Sequence, residues 1–126
     1  MCEATPDAVL DLPADLGAAR LARAFVRERA CPDHCGDVLD RALLAVSELT
    51  VNAVEHGAPP VRAHLDCRDG VLHLEVSDGG SSLPRHTSPG TSAESGRGVG
   101  LVAAVCADWG VRREGPGKTV WCDLAG

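Results

Sequence analysis

A chain of 126 residues is the length of one ordinary domain, so 1–126 is expected to fold as a single unit with a core of its own. Its composition, 44% hydrophobic and 24% charged, argues against disorder, and 2% aromatics argue against a stacking platform for single-stranded nucleic acid. A net charge of −6 without a basic stripe disfavours direct nucleic-acid binding, and no apolar run reaches the roughly 20 residues that span a bilayer. No charged-then-apolar leader opens the chain, so the expected location is the cytoplasm, with no membrane contact.

Residues 7–12 read as a short strand that Pro13 ends. From Asp15 a helical pattern runs to about Ala30, with Leu16, Ala19, Ala22 or Arg23, and Val26 near one face. Cys31-Pro32 stops it, because a proline disfavours helix in the residue before it. After a loop over 31–36, Asp37 is a good N-cap for a second helix reaching Glu55 or His56. Its apolar stripe is Leu39, Ala42, Leu43, Val46, Leu49 and Ala53, and Gly57 with Pro59-Pro60 forbids continuation.

A hairpin follows. Val61, Ala63, Leu65 and Cys67 alternate with Arg62, His64, Asp66 and Arg68, a period of two that leaves one face dry. Asp69-Gly70 is a preferred two-residue turn, and the return strand places Leu72, Leu74 and Val76 opposite His73, Glu75 and Ser77. Residues 79–98, rich in Gly, Ser, Pro and Thr, are long enough to predict a functional loop or lid. A short apolar helix from Val99 to about Ala107 comes next, then two strands, Trp109–Glu114 and Lys118–Leu124. Helices and hairpins segregate along the chain, which predicts an α+β fold, a two-layer sandwich, and not a doubly wound parallel sheet.

The six cysteines do not read as a disulfide framework, since nothing marks the chain as secreted. Cys67 and Cys122 fall on apolar strand phases and Cys106 in an apolar helical run, so small buried hydrophobes are expected. Cys31, His34 and Cys35 form one local cluster of soft donors, without the second Cys/His pair that zinc spacing requires.

Three places carry chemistry. Glu48, Asn52 and His56, spaced by four, rise along one flank of the second helix, opposite Val46, Leu49 and Ala53. A carboxylate and a carboxamide one turn apart can hold a hydrated Mg²⁺ or orient a nucleophile, though a plain solvated flank has the same spacing. Asp78 falls in phase with Leu72, Leu74 and Val76, so its carboxylate points inward at a strand end, where it needs donors. An adenine amino group is one such donor and a backbone cap at a turn is another; Gly79-Gly80 permits a flat ring to approach. Gly96-Arg97-Gly98-Val99-Gly100-Leu101 leads from the lid into a helix, where backbone N–H groups and an arginine fork suit phosphate, or simply form the end of a flexible lid. Gly117-Lys118-Thr119 is no Walker A end, because Arg112 stands where the first glycine belongs and a strand follows.

The order and spacing of these places resemble the GHKL ATPase superfamily of gyrase, heat-shock chaperone, histidine kinase and mismatch-repair ATPases. Glu48-Leu-Thr-Val-Asn52-Ala-Val-Glu-His56-Gly57 is similar to its N-box, Val76-Ser-Asp78-Gly-Gly80 to its G1 box, and Gly96–Leu101 to its G2 box. Within the superfamily the chain looks most like stand-alone anti-sigma-factor serine/threonine kinases of actinobacterial type. The resemblance implies the Bergerat fold, a four-stranded, mixed and mostly antiparallel sheet with helices on one face, and ATP and Mg²⁺ as cofactors. It implies that Asn52 binds Mg²⁺, that Asp78 accepts from adenine N6, that Gly80 floors the base pocket and that His56 belongs to the nucleotide-binding set. Gly96, Arg97, Gly98, Val99, Gly100 and Leu101 would cradle the phosphates.

Glu48 would be the general base that activates a serine of the protein substrate. The implied partners are an anti-sigma-factor antagonist, a sigma factor, and a second copy in a homodimer. Two positions depart from the pattern: Ser82 replaces the second G1 glycine, and Lys118 stands where many relatives have Thr, within reach of Asp78 or a phosphate. The competing reading is an ATP-binding interaction module without transfer. No hairpin bearing a phospho-accepting histidine precedes the domain, so a self-contained histidine kinase is not expected.

Overall fold

The two-residue rhythm of 61–78 becomes the middle of a five-stranded sheet. The computed structural model describes residues 5–30, 37–80 and 102–125. The elements are β1 (Thr5–Leu12), α1 (Ala18–Arg29), α2 (Asp37–His56), β2 (Val61–Arg68), β3 (Val71–Asp78), β4 (Asp108–Glu114) and β5 (Gly117–Ala125), with helical residues at 102–105.

The strands lie in the order β1-β2-β3-β5-β4, and each neighbouring pair is antiparallel. The fold is α+β, as expected. Its sheet is larger and more uniform than the four-stranded mixed sheet of the resemblance. β1 adds an edge strand, and the β2–β3 and β4–β5 hairpins force reversal within each pair.

Asp69 (φ 52°) and Gly70 (φ 81°) both adopt the left-handed region, which a two-residue hairpin turn of this type requires. Register then follows from burial. Leu65, Leu74 and Cys122 stand abreast on β2, β3 and β5, and Cys67, Leu72 and Leu124 form the next row. All six are buried, and each fully buried leucine contributes about 1.5–3 kcal/mol over exposure.

Both helices pack on this face. α2 buries Ala42, Val46, Leu49 and Ala53 of the predicted stripe, while Leu39 and Leu43 are half-buried. α1 buries Ala18, Ala22, Phe25 and Val26. Leu16, expected on that face, is instead 94% exposed. The cause is local: Asp15 accepts from Gly17 N through Oδ1 at 2.8 Å and from Ala18 N through its carbonyl at 3.1 Å, so the helix starts at Ala18.

The cysteines need a correction. Cys67 is buried, as expected, but Cys106 and Cys122 form a disulfide with a Cα–Cα distance of 5.8 Å. Cys106 follows the helical residues 102–105, whose chain crosses the dry face of β5 where Cys122 points. Cys31, His34 and Cys35 lie outside the described residues. Among the described residues no helix is long and apolar enough to cross a membrane.

Candidate functional site

α2 ends against the end of β3. Gly57 N donates to Ala53 O at 3.0 Å and closes the helix. Ala58 N then donates to Asp78 Oδ1 at 3.4 Å, and Gly79 N donates to Ala58 O at 2.7 Å. The predicted N-box helix and the predicted G1 strand are thus joined through the backbone of 57–58.

Asp78 points inward as its parity requires, with its side chain 2% exposed. Its donors are now explicit. Gly80 N donates to Oδ1 at 2.7 Å, and Lys118 Nζ lies 3.1 Å from Oδ1 and 2.9 Å from Oδ2. Asp78 and Lys118 are register partners on β3 and β5, on the same face as the core. A buried ion pair holds only when hydrogen bonds satisfy its remaining polar atoms, and the Gly80 and Ala58 amides supply two. Two glycines let the backbone pack directly against Asp78 at this corner. A Cβ on Gly57 would overlap the Asp78 carboxyl, and one on Gly117 would overlap the Asp78 carbonyl oxygen.

Asn52 lies one turn before His56 on α2. Its Nδ2 is buried and has no hydrogen-bond acceptor among the described residues. Leaving a buried donor unpaired is costly, so the atom marks where an incoming acceptor oxygen is best received. Glu48, one turn earlier, is half-buried, and His56 is exposed with Nε2 3.6 Å from Glu55 Oε2. Gly96, Arg97, Gly98, Val99, Gly100, Leu101 and Ser82 lie outside the described residues, as does the expected lid beyond Gly80.

The other face of the sheet holds a charge network that the sequence did not reveal. His73 Nδ1 bonds the Asp123 carboxylate, and Nε2 meets Glu75 Oε2 at 2.6 Å. Arg112 Nη2 reaches Glu75 Oε1 at 2.9 Å. Burial disfavours the charged imidazole, but the bonds to Glu75 and Asp123, with their charges, outweigh it and raise the His73 pKa above 6.5. Burial likewise opposes ionisation of Glu75, yet Arg112 and His73 lower its pKa below the ordinary value. Strand parity placed His73 and Glu75 on the wet face, but the second carboxylate on His73, Asp123, is 50 residues further on and carries no local signal.

Residues 12–123 match a family model described as a histidine kinase-like ATPase domain. No curated protein matches the sequence. Among solved structures, the chain is similar to the crystal structure of the RsbU and RsbW domains of Rv1364c from Mycobacterium tuberculosis. The TM-score is 0.73 at 23% identity, over 96% of this chain and 32% of the other. The likeness is therefore one of fold, and this chain spans about a third of the length of that crystallised chain.

Proposed function

The chain belongs to the histidine kinase-like ATPase family, and from that membership we propose that it is an ATP-binding regulator of anti-sigma-factor type that phosphorylates a serine of an antagonist protein. The observation that carries the nucleotide site is the buried Asn52 Nδ2, without an acceptor among the described residues, on the helix whose end is bonded to Asp78. The donor set suits Mg²⁺ and ATP: Asn52 offers an amide oxygen to a hard cation and an N–H to phosphate oxygen, and Asp78 offers a carboxylate to an amino group. Bound Mg²⁺ would neutralise phosphate charge during transfer.

Each residue has a task in this reading. Asp78 orients the base, backed by Gly80. Asn52 fixes the phosphate end. His56 lies on the same flank of α2, beyond Asn52, and Gly96 to Leu101 complete the phosphate cradle. Glu48 takes the proton of the attacking serine hydroxyl, whose oxygen bonds to the γ-phosphorus as the bond to the bridging oxygen of ADP breaks. The proposed setting is the cytoplasm, with an antagonist protein or a sigma factor as partner and a homodimer as the assembly. The fold likeness to a protein with RsbU and RsbW domains supports this direction.

The test is a calorimetric titration of ATP with Mg²⁺ into wild type and Asn52→Ala. Saturable binding that is lost in the variant is expected. A wild type that binds no nucleotide sinks the proposal.

A further inference from the structure

Lys118 is the single lysine of the chain, and it is buried, with its side chain 5% exposed. Burying an ammonium group is expensive, and its pairing with the equally buried Asp78 carboxylate offsets that cost. The geometry points to a second use. An ammonium has three N–H donors. Two are engaged by Oδ1 and Oδ2 of Asp78, at 3.1 and 2.9 Å, and the third has no partner among the described residues. Oδ1 accepts from Gly80 and Ala58 as well, whereas Oδ2 accepts from Lys118 alone among the described residues. A spare donor and a spare acceptor therefore lie on atoms 2.9 Å apart, at a corner where Gly57 and Gly117 pack directly against Asp78.

We propose that Lys118 reads the base directly, donating from Nζ to the ring nitrogen N1 of a 6-aminopurine while Asp78 accepts from the amino group beside it. The inference rests on the proposed nucleotide reading of this site. An adenine edge carries a donor at N6 next to an acceptor at N1, complementary to carboxylate and ammonium. A guanine edge carries an acceptor at O6 next to a donor at N1. In the same pose it would set oxygen against Asp78 and N–H against Lys118. Mismatched polar groups of this kind discriminate more strongly than shape does. Lys118 thus becomes a specificity-determining residue, and the pair selects 6-aminopurine nucleotides over 6-oxopurine ones.

The test replaces one atom of the ligand. The full chain is titrated with the Mg²⁺ complexes of ATP, 1-deaza-ATP, which has carbon in place of N1, and GTP. Loss of a hydrogen bond to a charged donor should weaken 1-deaza-ATP about tenfold or more against ATP, with GTP weaker than ATP as well. In Lys118→Met the gap between ATP and 1-deaza-ATP should close. Should that variant fail to fold, Lys118→Gln keeps a neutral donor for Asp78, and the gap should shrink several-fold. Equal affinity of the wild type for ATP and 1-deaza-ATP overturns this role and leaves the nucleotide site standing. A gap that persists unchanged in the variants does the same. A wild type that binds no ATP overturns both.

Discussion

His73 and Asp123 stand opposite each other on β3 and β5, and the ring Nδ1 bonds the Asp123 carboxylate. With Nε2 on Glu75, both ring nitrogens face carboxylates, so both bonds are donated only by the imidazolium. The His73 pKa is raised on folding, which makes the clamp stabilising below the unfolded histidine value of about 6.5. That stability is lost as pH rises through the folded pKa. Glu75, whose pKa is lowered, works the other way: its stabilisation is present above the unfolded carboxylate value and lost as pH falls through the folded one. Urea midpoints measured from pH 6 upward should fall in wild type and change less in His73→Gln. Parallel profiles in the two proteins would show that the imidazole contributes nothing to folding stability.

Glu48→Gln separates transfer from binding. The carboxamide keeps shape and polarity but cannot accept a proton from serine at neutral pH. Removing a general base typically costs 10²–10⁴-fold in rate, so transfer to an antagonist serine should fall in that range while ATP affinity stays within a few-fold. If instead the variant regulates its protein partner as well as wild type does, binding alone carries the function and the interaction-module reading prevails.

The tie between Cys106 and Cys122 closes a loop at a sequence separation of 16. A cross-link of that span stabilises by about 3 kcal/mol, chiefly by restricting the unfolded chain. Reduction should lower the urea stability by roughly that amount, within the usual 2–4 kcal/mol range. Peptide mapping without reductant should find 106 and 122 in one linked fragment. Recovery of two separately alkylated peptides from the native protein would contradict the pairing.

Much of this was legible because it is local. The hairpin came from strict alternation and Asp69-Gly70, α2 from its stripe and stop signals, and the inward aim of Asp78 from strand parity alone. What escaped depends on contacts between distant segments. Parity says which face His73 occupies, but only the β3–β5 register says that Asp123 faces it. The sequence left Lys118 two destinations, and the register chose Asp78. The Cys106–Cys122 pairing depends on where the chain at 102–106 meets the sheet, which no periodicity encodes. At the start of α1, the Asp15 turn overrode a helical pattern that began one turn too early.

The alternation of β5 has a consequence for how this protein can tolerate change in length. Lys118 and Leu124 belong to one comb of teeth, spaced by two, that points into the same layer. An insertion of one residue between Lys118 and Val120 could leave Val120, Cys122 and Leu124 seated, yet it would turn Lys118 to the far side of the sheet. A slip by two would keep the side but part the ammonium from Asp78 by about 7 Å, two residues of strand rise. The apolar teeth therefore act as a ruler for the charged one. Added residues are better borne at the Asp69-Gly70 and Gly115-Pro116 tips, outside the span that the ruler measures.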